Sequence, residues 1–164
     1  MVIKNPETVA FHPHDHAPCI HEVLEFADKT ARESGLRLTP VRRRALEVLL
    51  ENHRAMGAYD VLERLAEDGF GNQPPVAYRA LDFLVDNGLA HRVRRLNAYA
   101  ACMHPQTDHT PLFMICRGCD AVAESVALGV QTEISAAAAA ANFTVERVNV
   151  EVLGLCPTCK DPAI

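Results

Sequence analysis

The sequence predicts an α+β chain in two parts: an N-terminal winged helix-turn-helix, then a small α/β domain closed by a four-cysteine zinc site. Three observations carry that expectation. Helical segments with apolar stripes precede a short hairpin with a basic tip. A polar, proline-containing stretch at 103–111 then breaks the pattern. Beyond it, two C-x-x-C pairs flank a segment with both helix and strand character.

Residues 1–19 read as a polar, histidine-rich tail, and a helix is expected from about 20 to 34, ended by Gly35. Thr39 stands at the N-cap of a second helix with Pro40 at its first position. Val41, Ala45, Val48 and Leu49 recur there at helical spacing and predict a buried stripe. A third helix carries Ala58, Val61, Leu62, Leu65 and Ala66 on one face, and Gly69 and Gly71 break it. The fourth starts at Pro74-Pro75 and stops at Asn87-Gly88. Its apolar face is Ala77, Ala80, Leu81, Leu84 and Val85, which leaves Tyr78, Arg79, Asp82 and Asp86 pointing elsewhere. Strands at 89–93 and 98–102 form the hairpin, with Arg94, Arg95, Leu96 and Asn97 in its turn. The expected domains are therefore 20–102 for the winged helix, 103–111 for a hinge and 112–164 for the second domain. In that domain 112–116 is a strand candidate. The alanine-rich 128–141 is a helix, and 144–153 is a strand with Val148, Val150 and Val152 on one face.

Composition narrows the function classes. The chain has 164 residues, 49% hydrophobic and 23% charged, ordinary for a soluble globular protein. It contains no apolar run of membrane-spanning length and no secretory signal, so a cytoplasmic protein is expected. The net charge of −5 is unevenly spread. Residues 34–97 hold 10 Lys/Arg against 8 Asp/Glu, while 1–33 hold 3 against 6 and 98–164 hold 3 against 7. The basic excess falls on the helix-hairpin segment, where phosphate contact would require it. There is no Walker loop, dinucleotide fingerprint or Ser/His/Asp order, so an enzyme is not expected.

The sharpest signal is Cys116-Arg-Gly-Cys119 with Cys156-Pro-Thr-Cys159. Two such turns can present four thiolates tetrahedrally to one structural Zn²⁺. If the strands beside them lie side by side, the knuckles meet, and the 36 residues between the pairs leave room for a helix and a strand. The alternative is a redox C-x-x-C, which would place one pair at a helix N-terminus. A domain of this size buries little apolar surface, and both a zinc staple and dimerisation answer that deficit.

The run Arg37-Leu-Thr-Pro40, then Ala58-Tyr59-Asp60, then Pro74-Pro75-Val-Ala-Tyr78-Arg79-Ala-Leu-Asp82-Phe83-Leu84, then the two C-x-x-C pairs, resembles the ferric uptake regulator (Fur) family. The resemblance runs from roughly residue 20 to residue 160. It implies a dimeric, DNA-binding metalloregulator that represses genes when metal is bound, with the 112–164 domain as the dimerisation domain. Family members sense iron, zinc, manganese, nickel or peroxide. Many iron-sensing members carry an H-H-D-H run before the first C-x-x-C, where this chain has Thr107-Asp108-His109-Thr110. That place looks like the zinc uptake regulator branch, whose sensing ligands fall by position on His91, Cys102, His109 and Glu124, with His104 the alternative imidazole. One thiolate, two imidazoles and a carboxylate make a set that suits Zn²⁺. About two Zn²⁺ per chain are then expected, one structural and one regulatory.

The resemblance also implies a palindromic operator, read by the fourth helix of each protomer. Arg79 suits guanine O6 and N7, and Tyr78 a thymine methyl. Arg42, Arg43, Arg44, Arg94 and Arg95 read as phosphate contacts, which position without specifying, the alternative for some of them being a merely solvated charge. The tail residues His12, His14, His16, Cys19 and His21 form either a further metal site or a polar segment that binds cations weakly. The expected function is a zinc-responsive repressor of zinc-uptake genes. Its alternatives are an iron or peroxide sensor of the same family and, in another class, a C-x-x-C thiol oxidoreductase.

Overall fold

Apolar residues at helical spacing bury one face of each N-terminal helix, and proline and glycine set where the helices begin and end. The structure is a computed structural model that describes residues 11, 17–51, 54–126 and 128–160. They fall into two units, one ending at Gln106 and one beginning at Thr107.

In the first unit the order is α1 (Ala17–Glu33), α2 (Pro40–Leu50), α3 (Ala58–Glu67), α4 (Pro74–Asp86), β1 (Ala90–Val93) and β2 (Ala98–Ala101). Gly35, at φ +67°, turns the chain after α1 in a conformation that L side chains seldom adopt. Thr39 occupies the N-cap of α2 in extended conformation. The expected cap bond does not form, and its Oγ1 lies buried without a hydrogen-bond partner. Pro40 at the first position removes one N–H that would otherwise need satisfying. At α3 the Asp60 carboxylate accepts the Gly57 N–H at 3.1 Å. Leu46, Leu49, Val48, Val61, Leu65, Leu81 and Leu84 are fully buried between α2, α3 and α4. Each contributes roughly 1.5–3 kcal/mol by leaving water.

The hairpin is antiparallel with Ala90 opposite Ala101 and Val93 opposite Ala98. Asn97, at φ 46°, closes its turn. Met56 joins it through two backbone bonds to Tyr99, each 2.8 Å, which ties the hairpin to the loop before α3.

The second unit contains β3 (Pro111–Cys116), β4 (Val122–Val126), α5 (Leu128–Ala140), β5 (Val150–Gly154) and α6 (Pro157–Lys160). Its sheet has the order β4-β3-β5, with β3 antiparallel to β4 and parallel to β5. α5 and the loop after it carry the chain from β4 on one side of β3 to β5 on the other. It ends as Asn142 turns into left-handed conformation at φ 52° and the Phe143 N–H bonds back to the Ala138 carbonyl.

Two expectations are corrected here. The strand foreseen over 144–153 forms only over Val150–Gly154, because only that part finds β3 as a partner. Its alternation does not mark a buried face: Val152 is 48% exposed, on an edge strand. And β4, which carries Glu124, was not foreseen.

No helix among the described residues is long and apolar enough to cross a membrane.

Candidate metal centre and nucleic-acid interface

The parallel register of β3 and β5 sets Cys116 opposite Gly154, so the first C-x-x-C turn leaves one strand where the second follows its neighbour. The four sulfurs lie within 4.8 Å of one another. Cys119 Sγ and Cys156 Sγ are 3.8 Å apart. Four thiolates at 2.3 Å from a central Zn²⁺ have an edge of about 3.8 Å, so these thiols already stand at zinc spacing. All four cysteines are free of disulfides.

Local backbone supports the cluster. The N–H groups of Cys156 and Gly118 donate to Cys116 Sγ at 3.3 and 3.4 Å. Such bonds stabilise a thiolate and orient it. The Cys156 N–H foremost, with burial opposing it, pulls the Cys116 thiol down to about 6. Cys159 is pushed up to about 12 by its bonds to the Cys156, Cys116 and Cys119 thiols. Thiols crowded together oppose one another's ionisation, and a bound divalent cation relieves that opposition. Gly118 is needed for close approach: a Cβ there would stand 3.0 Å from Cys159 Sγ and 3.1 Å from its Cβ. Sequence reading missed this glycine, although a glycine inside a C-x-x-C turn is its signal.

Each unit also holds two of the four residues assigned to sensing. On the hairpin, His91 pairs with Ala100, and the Cys102 N–H donates to the Leu89 carbonyl at 3.0 Å. Both side chains therefore share one face, with the His91 ring and Cys102 Sγ within 4.8 Å. Cys102 is fully buried. In the second unit His109 Nε2 lies 2.8 Å from Glu124 Oε1, with their side chains only 5% and 3% exposed. His109 Nδ1 lies 2.8 Å from the Thr107 carbonyl. The Glu124 hydrogen bond, against the effect of burial, raises the His109 pKa above its ordinary value. β4 is what presents Glu124 to this ring. His104 lies on the segment between β2 and β3. Of the tail, His12, His14 and His16 lie outside the described residues. Cys19 and His21 lie on α1, where His21 Nδ1 is 3.5 Å from Glu25.

On α4 the outward strip begins with Tyr78, 41% exposed, and Arg79. Among the described residues neither side chain takes part in a hydrogen bond or ion pair. Arg94 and Arg95 are exposed at the hairpin tip.

The α2 arginines are a correction. Arg43 pairs with Asp28 at 2.8 Å and Glu47 at 3.3 Å, and Arg44 with Asp68 at 2.5 Å and Glu51 at 3.1 Å. Arg42 lies 3.9 Å over the Phe83 ring and donates to the Arg37 carbonyl. Their guanidinium groups brace helices, since acidic partners stand within reach on α1, α2 and the end of α3.

A four-helix unit with a basic-tipped hairpin, followed in the chain by a small sheet with a four-thiol knuckle, defines a winged-helix metalloregulator class. The Ferric uptake regulator family profile matches residues 33–153. The chain belongs to that family. It is 37% identical to the zinc uptake regulation protein of Escherichia coli (strain K12), over 84% of this chain and 81% of that protein. It is 28% identical to the peroxide operon regulator of Bacillus subtilis (strain 168), over 85% of this chain and 94% of that one. The solved structure of a zinc uptake regulator complexed with zinc and DNA superposes with a TM-score of 0.83 at 36% identity, covering 87% of this chain and 96% of that one. This is a family of regulators, not enzymes, so the thiol oxidoreductase reading is set aside.

Proposed function

We propose that this protein is a zinc-responsive transcriptional repressor: a homodimer that, loaded with zinc, binds the operator DNA of zinc-uptake and zinc-homeostasis genes. The observation that carries the reading is the donor set. Each unit offers two preassembled ligands, His91 with Cys102 and His109 with Glu124. A thiolate, two imidazoles and a carboxylate suit Zn²⁺ better than Mn²⁺, which favours oxygen. The resemblance to a zinc uptake regulation protein, stronger than that to a peroxide regulator, points the same way.

In this reading Cys116, Cys119, Cys156 and Cys159 hold a structural zinc that contributes to the folding of residues 112–164. His91, Cys102, His109 and Glu124 hold a second, regulatory zinc. Because its ligands lie before the 103–111 hinge (His91, Cys102), within it (His109) and beyond it (Glu124), binding it fixes the winged helices of a dimer for successive major grooves, about 34 Å apart. Zinc favours that state only by as much as it binds it better than the others. Arg79 and Tyr78 read bases, and Arg94 and Arg95 hold phosphates.

Dimerisation is supported by apolar surface left on the second unit. Val130, Phe143, Val145, Val152, Leu153 and Leu155 are exposed there. Every described side chain of α5 from 129 to 140 is exposed or half-buried, an alanine-rich helix with no core above it. The protein acts in the cytoplasm, where its operators and reduced thiols are.

The test is DNA binding by anisotropy across buffered Zn²⁺, Fe²⁺ and Mn²⁺, with metal content measured after purification without added metal. The reading expects one to two zinc ions per chain and tight operator binding at the lowest free Zn²⁺. Binding that answers to Fe²⁺ alone would overturn it.

A further inference from the structure

On α4, Asp82 follows Arg79 by three residues and Tyr78 by four, so all three lie on one exposed strip. An acid and a base at this spacing commonly pair on a helix surface. Here they do not: among the described residues no hydrogen bond or ion pair engages the side chain of Arg79 or Asp82. The α2 arginines behave in the opposite way, each held by a carboxylate or a ring. An unpaired carboxylate on a surface turned toward a polyanion is unfavourable unless it meets a donor there.

We propose that Asp82 is a second base-reading residue, selecting cytosine in the operator. This rests on the function proposed above. A carboxylate only accepts hydrogen bonds. In the major groove cytosine offers the N4 amino donor alone, whereas adenine sets the N7 acceptor beside its N6 donor, and guanine and thymine present acceptors. Asp82 is therefore best matched to cytosine, less well to adenine, whose N7 lone pair opposes it beside the N6 donor, and is repelled by guanine and thymine. The helix rises about 4.5 Å from Arg79 to Asp82, against about 3.4 Å per base-pair step. The cytosine thus stands at, or one step beyond, the pair whose guanine Arg79 takes.

The experiment is selection from a randomised duplex pool by the zinc-loaded full chain, for wild type, Asp82→Asn, Asp82→Ala and Arg79→Ala. Wild type is expected to enrich a palindrome with a guanine and, at the same or the adjacent base pair, a cytosine in each half-site. Asp82→Asn moves the cytosine position toward adenine, whose N6 and N7 an amide can bind together. Asp82→Ala loses discrimination there by about 5- to 150-fold. Both keep the guanine preference, which Arg79→Ala loses. A substitution that only disturbed the helix would weaken all positions and produce no switch to adenine. A wild-type palindrome whose cytosine survives both Asp82 substitutions overturns this inference alone. A wild-type pool that enriches nothing overturns the DNA-binding reading and this inference with it.

Discussion

Replacing Cys156 by serine tests the thiolate centre where it is most dependent on geometry. Cys156 is 6% exposed, its sulfur lies 3.8 Å from that of Cys119, and its N–H supports Cys116. Serine keeps the N–H and loses the thiolate, because a hydroxyl does not deprotonate for zinc at neutral pH. Structural zinc in thiolate sites contributes about 10–16 kcal/mol. A quarter share is about 2.5–4 kcal/mol, or zinc bound about 60- to 700-fold more weakly. The second unit has little with which to compensate. Among its described residues, Phe113 and Ile115 are the large apolar side chains at 2% exposure or less, each worth roughly 1.5–3 kcal/mol. The assay is retention of zinc against a graded chelator, followed by thermal unfolding of the same samples. Cys156→Ser should lose zinc at chelator levels that leave wild type loaded, and its transition should fall to that of chelated wild type. Cys19→Ser, outside the cluster, should match wild type. A Cys156→Ser protein that holds its zinc through the same titration, with an unchanged transition, would refute the four-thiolate assignment.

Cys102→Ser should keep the structural zinc and lose the zinc response of DNA binding, read as anisotropy against buffered free zinc. An unchanged midpoint would place sensing elsewhere. Gly118→Ala should weaken zinc retention about 10-fold, because the new methyl meets Cys159 at 3.0 Å, a cost of order 1–3 kcal/mol. The same chelator titration checks it. In metal-free protein the Cys116 thiol is depressed to about 6 from an ordinary 9. Its stabilisation is therefore full above about pH 9 and disappears as pH falls through about 6, which thiolate absorbance together with unfolding at each pH will follow. Arg79→Ala should cost about 1–3 kcal/mol at one base position per half-site, whereas Arg95→Ala should weaken specific and scrambled duplexes alike and flatten the salt dependence.

Helices were legible because their signals are local. Pro40 and Pro74 open α2 and α4, Gly35 and Gly88 follow α1 and α4 at positive φ, and most of the stripe residues between them are buried, with Val41, Ala66 and Val85 half-buried. The cysteine cluster was legible because ligand spacing is itself a local pattern. The rest depended on tertiary partners. Residues 144–149 alternate like the strand after them, yet only Val150 onward meets β3, and sequence alternation cannot say where a neighbour ends. β4 was hidden for a related reason: Val122, Ala123 and Ser125 are all buried, so no period of two marks it. The role of Arg43 and Arg44 depended on Asp28 and Asp68, 15 and 24 residues away, which charge counting along the chain does not reveal.

That last difference bears on how zinc can control DNA binding. Residues 34–97 carry 10 basic groups. Of these, Arg43, Arg44 and Arg64 are committed to Asp28, Glu47, Glu51, Glu67 and Asp68, and Arg42 lies against Phe83. Such partly exposed pairs add little stability singly, about 0–1 kcal/mol each, but they remove charge from the phosphate-facing account. Nonspecific affinity grows with each phosphate neutralised, with a salt slope of about −0.9 per contact. A winged helix with four of those ten cations so engaged binds DNA more weakly by itself, and strength is added by two copies engaging at once. Simultaneous engagement depends on geometry and is lost when geometry forbids it. A metal that fixes the separation of two recognition helices therefore acts on the largest single contribution to affinity. With a strongly basic α2 surface, one protomer would hold DNA without zinc, and the switch would have little to control.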